Sequence, residues 1–296
     1  MALPTYATPI QRTYYYLYLF FCGVVFFFLI APLVAIIPIS FSKSPFMLFT
    51  DGMLAWPPDP EAWSFRWYRY MVGLCNDPNL TTPCSNKWMV GTRNSFFIGF
   101  VSTFIATVLG TLAALGLSRP HMPFKALIMS ILISPMIVPL IITAAGMFFF
   151  YAKVNLVYTF TGIILAHVAL STPFVVITVT ATLVGFDTNM TKAAQSLGAR
   201  PMRTFFKIMM PLILPGVISG ALFAFITSFD EVVVVMFMAS LDELTIPKQM
   251  WAGIRQEISP IILCMATCLV ILSIVLLTTV ELLRRRSERM RGITAR

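Results

Sequence analysis

Apolar residues in this chain gather into runs too long for strands or ordinary core helices, with short polar stretches between them. A bilayer span takes about 20 mainly apolar residues. Six stretches reach that length, at about residues 17–40, 94–117, 124–151, 156–185, 212–239 and 260–283. The pattern predicts an all-α, polytopic membrane protein with about six transmembrane helices. The first run exceeds a signal peptide's apolar core and reads as a retained span. Pro135 and Pro139 punctuate the third run, and His167 and Pro173 lie inside the fourth. Membrane helices tolerate such breaks where neighbours satisfy the freed backbone groups. The chain therefore divides into 1–40 (N-terminus and first span), a polar outer loop at 41–93, a core at 94–283 with a charged loop at 187–210, and a basic tail at 284–296.

Composition agrees with this division. Hydrophobic residues make up 58% of the chain and charged residues 11%, against roughly 25% charged in soluble domains. The net charge of +9 would raise nucleic acid as a partner for a soluble protein. Here the basic residues sit beside the apolar runs, as topology signals do, so no nucleic acid is expected. Lys and Arg collect at residues 12, 119, 125, 192–207 and 284–296, while the opposite short loops hold only Lys153, Lys248 and Arg255. The positive-inside rule then places both termini and the 187–210 loop in the cytoplasm, and 41–93 outside. Cys22, Cys264 and Cys268 lie in apolar runs, as small hydrophobes do. Cys75 and Cys84 flank a polar stretch of the outer loop, where an oxidising compartment would permit a disulfide. No zinc-type spacing appears, and no phosphate-cradling GxxxxGK[ST] motif. ATP and its Mg ion would act only through a partner, and no cofactor is expected on this chain.

Residues 187–215 read DTNMTKAAQSLGARPMRTFFKIMMPLILP. Asp187 or Thr188 fits a helix N-cap. Ala193, Ala194 and Leu197 give the helix an apolar face. Gly198 fits the left-handed position that ends a helix, Ala199 follows it, and Pro201 fits the first turn of the next helix. The result is a helix–Gly–helix elbow between two spans. The residues alone fit two readings equally: an elbow on which a partner docks, or an amphipathic stretch lying on anionic lipid.

The spacing Ala193-Ala194, Gly198, nine residues, Ile208, one residue, then Met210-Pro211 resembles the EAA loop of ABC-importer permeases. Lys192 stands where that pattern has Glu, and Met210 where it often has Leu. The resemblance runs over about 92–283. It includes Asn94-Ser95, Pro135, Pro139, His167 and Pro173-Phe174. The stretches 228–234 (SFDEVVV) and 246–251 (IPKQMW) are similar to polyamine-type, spermidine/putrescine PotC-like permease subunits. It implies a type I importer (MetI-like) fold and an elbow that seats in a cytoplasmic ATPase through Ala193, Ala194, Leu197, Gly198, Ala199 and Pro201. It also implies an ATPase dimer, a second permease subunit (PotB-like) and a periplasmic solute-binding protein that touches 41–93 and 240–259. The chain itself would be a transport subunit, not an enzyme.

Asp230 and Glu231 lie near the outer end of the fifth run. A carboxylate at mid-membrane costs about 2.5–3.5 kcal/mol on insertion scales, and such a residue is a functional candidate by default. Gly216, Gly220, Ala224 and Ser228 recur every four residues. Thr227 and Glu231 share their face on an ideal helix, with Asp230 about 100° away from Glu231. The four residues Asp230, Glu231, Ser228 and Thr227 are candidates for contact with a cationic solute. The alternative for the two acids is local pairing or helix capping. Other amino compounds, opines or an aminophosphonate are rival substrates. A channel and a membrane enzyme are rivals from other classes, although no HExxH or GxSxG pattern occurs.

Overall fold

The computed structural model describes residues 8–74, 86–119, 121–256 and 259–290. Every regular element among them is helical. Five helices are long and apolar enough to cross a membrane, and a bent pair makes a sixth if counted as one span. The chain divides into two compact units, residues 1–85 with 253–276, and residues 86–252 with 277–296.

The first unit is built on α1 (Pro9–Ser40), which opens with a reciprocal capping box between Thr8 and Gln11. None of its apolar window is buried by protein, as suits a helix solvated by lipid. Beyond it the described part of the 41–93 segment folds as short pieces: α2 (Asp51–Leu54), a 3-10 turn at Pro60–Ala62 and α3 (Arg66–Met71). The Trp67 indole N–H donates to the carbonyls of Ser42 and Ser44 at 3.0 and 3.2 Å. The Tyr68 hydroxyl and Ser40 Oγ lie 2.7 Å apart, and Cys264 Sγ donates to the Ser40 carbonyl at 3.3 Å. Burial raises the Tyr68 phenol above its ordinary range, with the Ser40 hydrogen bond opposing that shift.

In the second unit, α4 (Lys87–Leu117) is followed by α5 (Lys125–Ile137) and α6 (Leu140–Lys153). The third run was expected as a single span near 124–151. It is instead two helices bent by 102°. The cause is Pro139: the residue before a proline is driven out of the helical region, and Val138 is extended at φ −71°, ψ 135°. Next comes α7 (Phe160–Val184), which starts at Thr159, whose hydroxyl accepts from the Gly162 N–H at 3.1 Å. The elbow helices α8 (Asn189–Ser196) and α9 (Pro201–Thr204) lead through a π turn at Phe205–Met209 into α10 (Met210–Phe229). After α11 (Val233–Met238) comes α12 (Ile246–Gln256). Last is α13 (Ile261–Met290), which belongs to the first unit up to residue 276; its backbone stays helical through Arg284–Arg286, so part of the expected tail is helix.

The core of this unit is α7 packed against α4 and α10, and glycine sets each approach. A Cβ on Gly110 of α4 would lie 2.6 Å from Val175 Cβ of α7. One on Gly220 of α10 would lie 3.0 Å from Val175 Cα, and one on Gly216 would collide with the Thr182 side chain. Val175 is fully buried between the two glycine surfaces. Small residues allow such contact where lipid supplies no hydrophobic drive between helices. The glycine face read from the sequence therefore meets α7.

Replacing Gly220 by Val should destabilise the detergent-solubilised protein by about 1–3 kcal/mol, the usual range for overpacking. Gly146→Ala, with nothing within 4 Å of its added Cβ, should leave the melting temperature unchanged or slightly higher. Thermal unfolding monitored by intrinsic fluorescence would check both.

Candidate functional site

The elbow is fixed by backbone chemistry. Gly198 has φ +81°, a conformation glycine adopts without penalty. Its N–H donates to the Gln195 carbonyl at 2.9 Å, and the Ala199 N–H donates to the Ala194 carbonyl at 3.0 Å. This pair of bonds is a Schellman motif. Pro201 occupies the first turn of α9 as expected. At the start of α8, Asp187 rather than Thr188 supplies the side-chain contact, its Oδ1 accepting from the Asn189 N–H at 2.9 Å.

The two alanines do not share a face. Ala194 is buried, whereas Ala193 is exposed. Leu197 is 88% exposed, and Met190, Met202 and Phe206 of the same segment are exposed as well. The outward apolar surface is thus larger than the sequence reading of Ala193, Ala194 and Leu197. Met202 and Phe206 were missed because they lie beyond the Gly198 bend, where one helical period no longer applies. The π turn immediately follows, and such turns recur at functional positions in helices.

At the other end of α10, the helix stops at Phe229, so the face inferred for Glu231 by continuing the helix does not extend that far. Asp230 is exposed. Glu231 is buried, and its Oε1 accepts from the Val234 N–H at 2.9 Å at the start of α11. Helix capping is therefore what Glu231 does here. Ser228 is also buried, 2.8 Å from His167 Nδ1 across the α7–α10 contact. Thr227 is half-buried. Of the four candidate residues, only Asp230 is openly accessible.

A second feature lies near the start of α4. Both hydrogens of the buried Asn94 amide are used, donated to the carbonyls of Asp242 and Leu244 at 2.8 and 3.0 Å. Ser95 Oγ accepts from the Ile246 N–H at 2.8 Å. Gly91 lets the Thr245 backbone approach, a Cβ there falling 3.5 Å from the Thr245 carbonyl carbon. Glu243 accepts from the Ser240 N–H and hydroxyl. Lys248 Nζ donates to the Ala239 carbonyl at 2.7 Å. Burial holds the Lys248 ammonium below the ordinary lysine range, with the Glu243 carboxylate opposing that shift. A cavity of about 470 Å³, bordered by Lys87, Arg93, Phe160, Leu241 and Asp242, opens beside this clamp. The sequence marked Asn94-Ser95 only by resemblance; their role as a clamp on 240–246 depends on contacts about 150 residues apart.

The Cys75/Cys84 pair lies outside the described residues. Among the described residues, Cys22, Cys264 and Cys268 are unpaired, and no cluster of His, Cys, Asp or Glu could hold a metal ion.

Similarity to known proteins, in sequence and in fold, extends over most of the chain. A sequence profile of the family described as binding-protein-dependent transport system inner membrane components matches residues 106–289. The chain belongs to this family. It is 29% identical over 268 residues to the spermidine/putrescine transport system permease protein PotC of Haemophilus influenzae, covering 90% of this chain and 96% of that one. It is 27% identical over 265 residues to PotC of Escherichia coli K12, and 27% identical over 270 residues to the putrescine transport system permease protein PotI of the same strain. The PotC match covers 90% of this chain and 92% of the relative, and the PotI match 88% and 86%. In fold, it matches a chain of a bacterial ABC transporter importing the acidic polysaccharide alginate, with a TM-score of 0.68 over 96% of this chain and 99% of that one at 15% identity. A chain of the MetNI methionine ABC transporter aligns with a TM-score of 0.53, over 73% of this chain and 100% of that one at 20% identity. The chain has the ABC-importer permease fold and is a multi-pass inner-membrane transport subunit.

Asn94→Leu takes the amide donors from the Asp242 and Leu244 carbonyls, and the buried Leu244 group then goes without its partner, at about 1–3 kcal/mol. Amide hydrogen exchange across 240–246 should then accelerate, while exchange in α7 stays slow. Unchanged protection of 240–246 would show that the clamp contributes nothing to holding that segment.

Proposed function

We propose that this chain is one of two permease subunits of an ATP-driven importer that moves a polyamine such as spermidine or putrescine inward across a bacterial inner membrane. The observation that carries the reading is the elbow: a backbone-locked turn presenting the highly exposed Leu197 directly before a membrane helix. Such an apolar tip calls for a partner's groove, and burying a leucine side chain is worth about 1.5–3 kcal/mol. The partner is an ATPase dimer that binds ATP and Mg. The remaining partners are a second, PotB-like permease subunit and a periplasmic solute-binding protein that meets the outer loops. Both termini and the elbow face the cytoplasm, following the Lys/Arg asymmetry.

The polyamine class is supported by the similarity to permeases of that name over nine-tenths of the chain and by the exposed Asp230 carboxylate. In this mechanism, closure of the ATPases moves the two elbows together. Each elbow continues without a loop through the π turn into α10, so its displacement reaches α7 through the glycine contacts. The cavity between the two permease subunits turns outward to receive the solute, and hydrolysis returns it inward.

Two measurements test this. Affinity purification from native membranes should bring down an ATPase, a second permease and a binding protein, and vesicles carrying that complex should accumulate labelled spermidine or putrescine on ATP addition. A chain that purifies alone or only with itself contradicts the importer assignment, and uptake of another solute class contradicts the substrate. Gly198→Pro removes the N–H bonded to Gln195 and forces φ to about −65°. The variant should still insert but lose most uptake, with ATP hydrolysis no longer responding to the loaded binding protein. Normal uptake by it would remove the docking role of the elbow.

A further inference from the structure

Four phenylalanines form a ladder where α4 meets the outer end of α10. Phe96 and Phe100 stack along α4 with ring centroids 6.0 Å apart, and Phe225 and Phe229 stack along α10 at 5.3 Å. The rungs are Phe96–Phe229 at 5.2 Å and Phe100–Phe225 at 5.1 Å. Gly99 makes the ladder possible, since a Cβ there would press to 3.1 Å from Phe225 Cε2. Phe225 is buried beneath the others, Phe96 and Phe229 are half-buried, and Phe100 is 61% exposed. Asp230, exposed, follows Phe229 directly.

We propose that this ladder, with Asp230 at its outer end, is a contact strip for a linear polyammonium solute passing through the permease. The inference rests on the polyamine reading above. Packing alone accounts for Phe225. Phe100 is largely open, outside that packing. An aromatic face attracts an ammonium group held within about 6 Å of its centroid. Phe96, Phe100 and Phe229 keep part of their surface open, so that methylene-spaced ammonium groups can step from one of these rings to the next. Asp230 supplies the complementary charge at the entry end. Ring faces hold a cation without the strong, localised charge that would trap it, which suits a conduit whose solute must also leave.

The test uses the complete reconstituted complex, with its binding protein and labelled spermidine. Phe100→Leu should raise KM for uptake by roughly 5- to 30-fold, the range of a partly desolvated cation–π contact, with kcat and basal ATP hydrolysis little changed. Phe100→Tyr should restore KM. Progressively fluorinated phenylalanines at position 100 keep the ring's shape while draining its negative face, so KM should climb with each added fluorine. Phe104→Leu, one turn deeper on α4 and outside the ladder, should leave KM unchanged. A KM indifferent to fluorination overturns the strip even if Phe100→Leu is impaired, because shape alone would then explain the defect. Loss of the co-purifying second permease in Phe100→Leu, with KM unmoved in the complexes that remain, assigns the ring to subunit packing and also overturns it. If the wild-type complex takes up no polyamine, the proposed function itself fails, and the ligand assigned to the strip fails with it.

Discussion

The close approach of α7 to α4 and α10 around Val175 is the constraint on which the second unit depends. Helices in lipid gain little from hiding apolar surface, because the acyl chains are as apolar as the side chains. What remains is van der Waals contact, strongest where backbones come near, together with hydrogen bonds across the interface. Gly110, Gly216 and Gly220 provide the first. The second comes from the His167–Ser228 pair and from the Ser102 hydroxyl, which donates to the Ile164 carbonyl at 3.4 Å. The contacts are spread along α10 from Gly216 to Ser228, so they fix its rotation as well as its distance. That rotation decides that Ser228 faces α7 and that Phe225 and Phe229 face α4.

With α10 so placed, its two ends acquire different tasks. The elbow end is rigid up to the membrane helix: a Schellman turn, a proline at the first position of α9 and helical geometry from there onward. The π turn at Phe205–Met209 is the one departure from regular α geometry between Pro201 and Phe229. It adjusts the side chains of the elbow relative to those of the span without breaking the backbone ladder. The other end stops after Phe229, and residues 230–232 lead into α11.

Much of this was legible in the sequence because it depends on local chemistry. Gly198 and Pro201 announce a turn wherever they occur at that spacing, and both took the expected conformation. The four-residue recurrence of Gly216, Gly220, Ala224 and Ser228 identified a packing face before the partner helix was known. The failures are of another kind. Continuing the α10 period to Glu231 assumed a helix that ends two residues earlier, and no proline or glycine marks that end. The third span looked continuous because hydropathy does not register direction, although Pro139 carried the signal for the bend. The Asn94 clamp was unreadable in principle, since its carbonyl partners are backbone groups in a segment far along the chain.

Adjacent carboxylates at positions 230 and 231 would look interchangeable on any hydropathy plot, yet the fold separates them. Glu231 is buried, and its oxygen satisfies an N–H at the start of α11 that would otherwise lack a partner, as the first N–H groups of any helix do. Being buried and engaged there, it offers a solute little access. Asp230 has no such duty in its local structure and is exposed at the surface. Removing Glu231's carboxylate would therefore disturb the backbone that positions α11. Removing Asp230's would alter the local field and leave the fold alone.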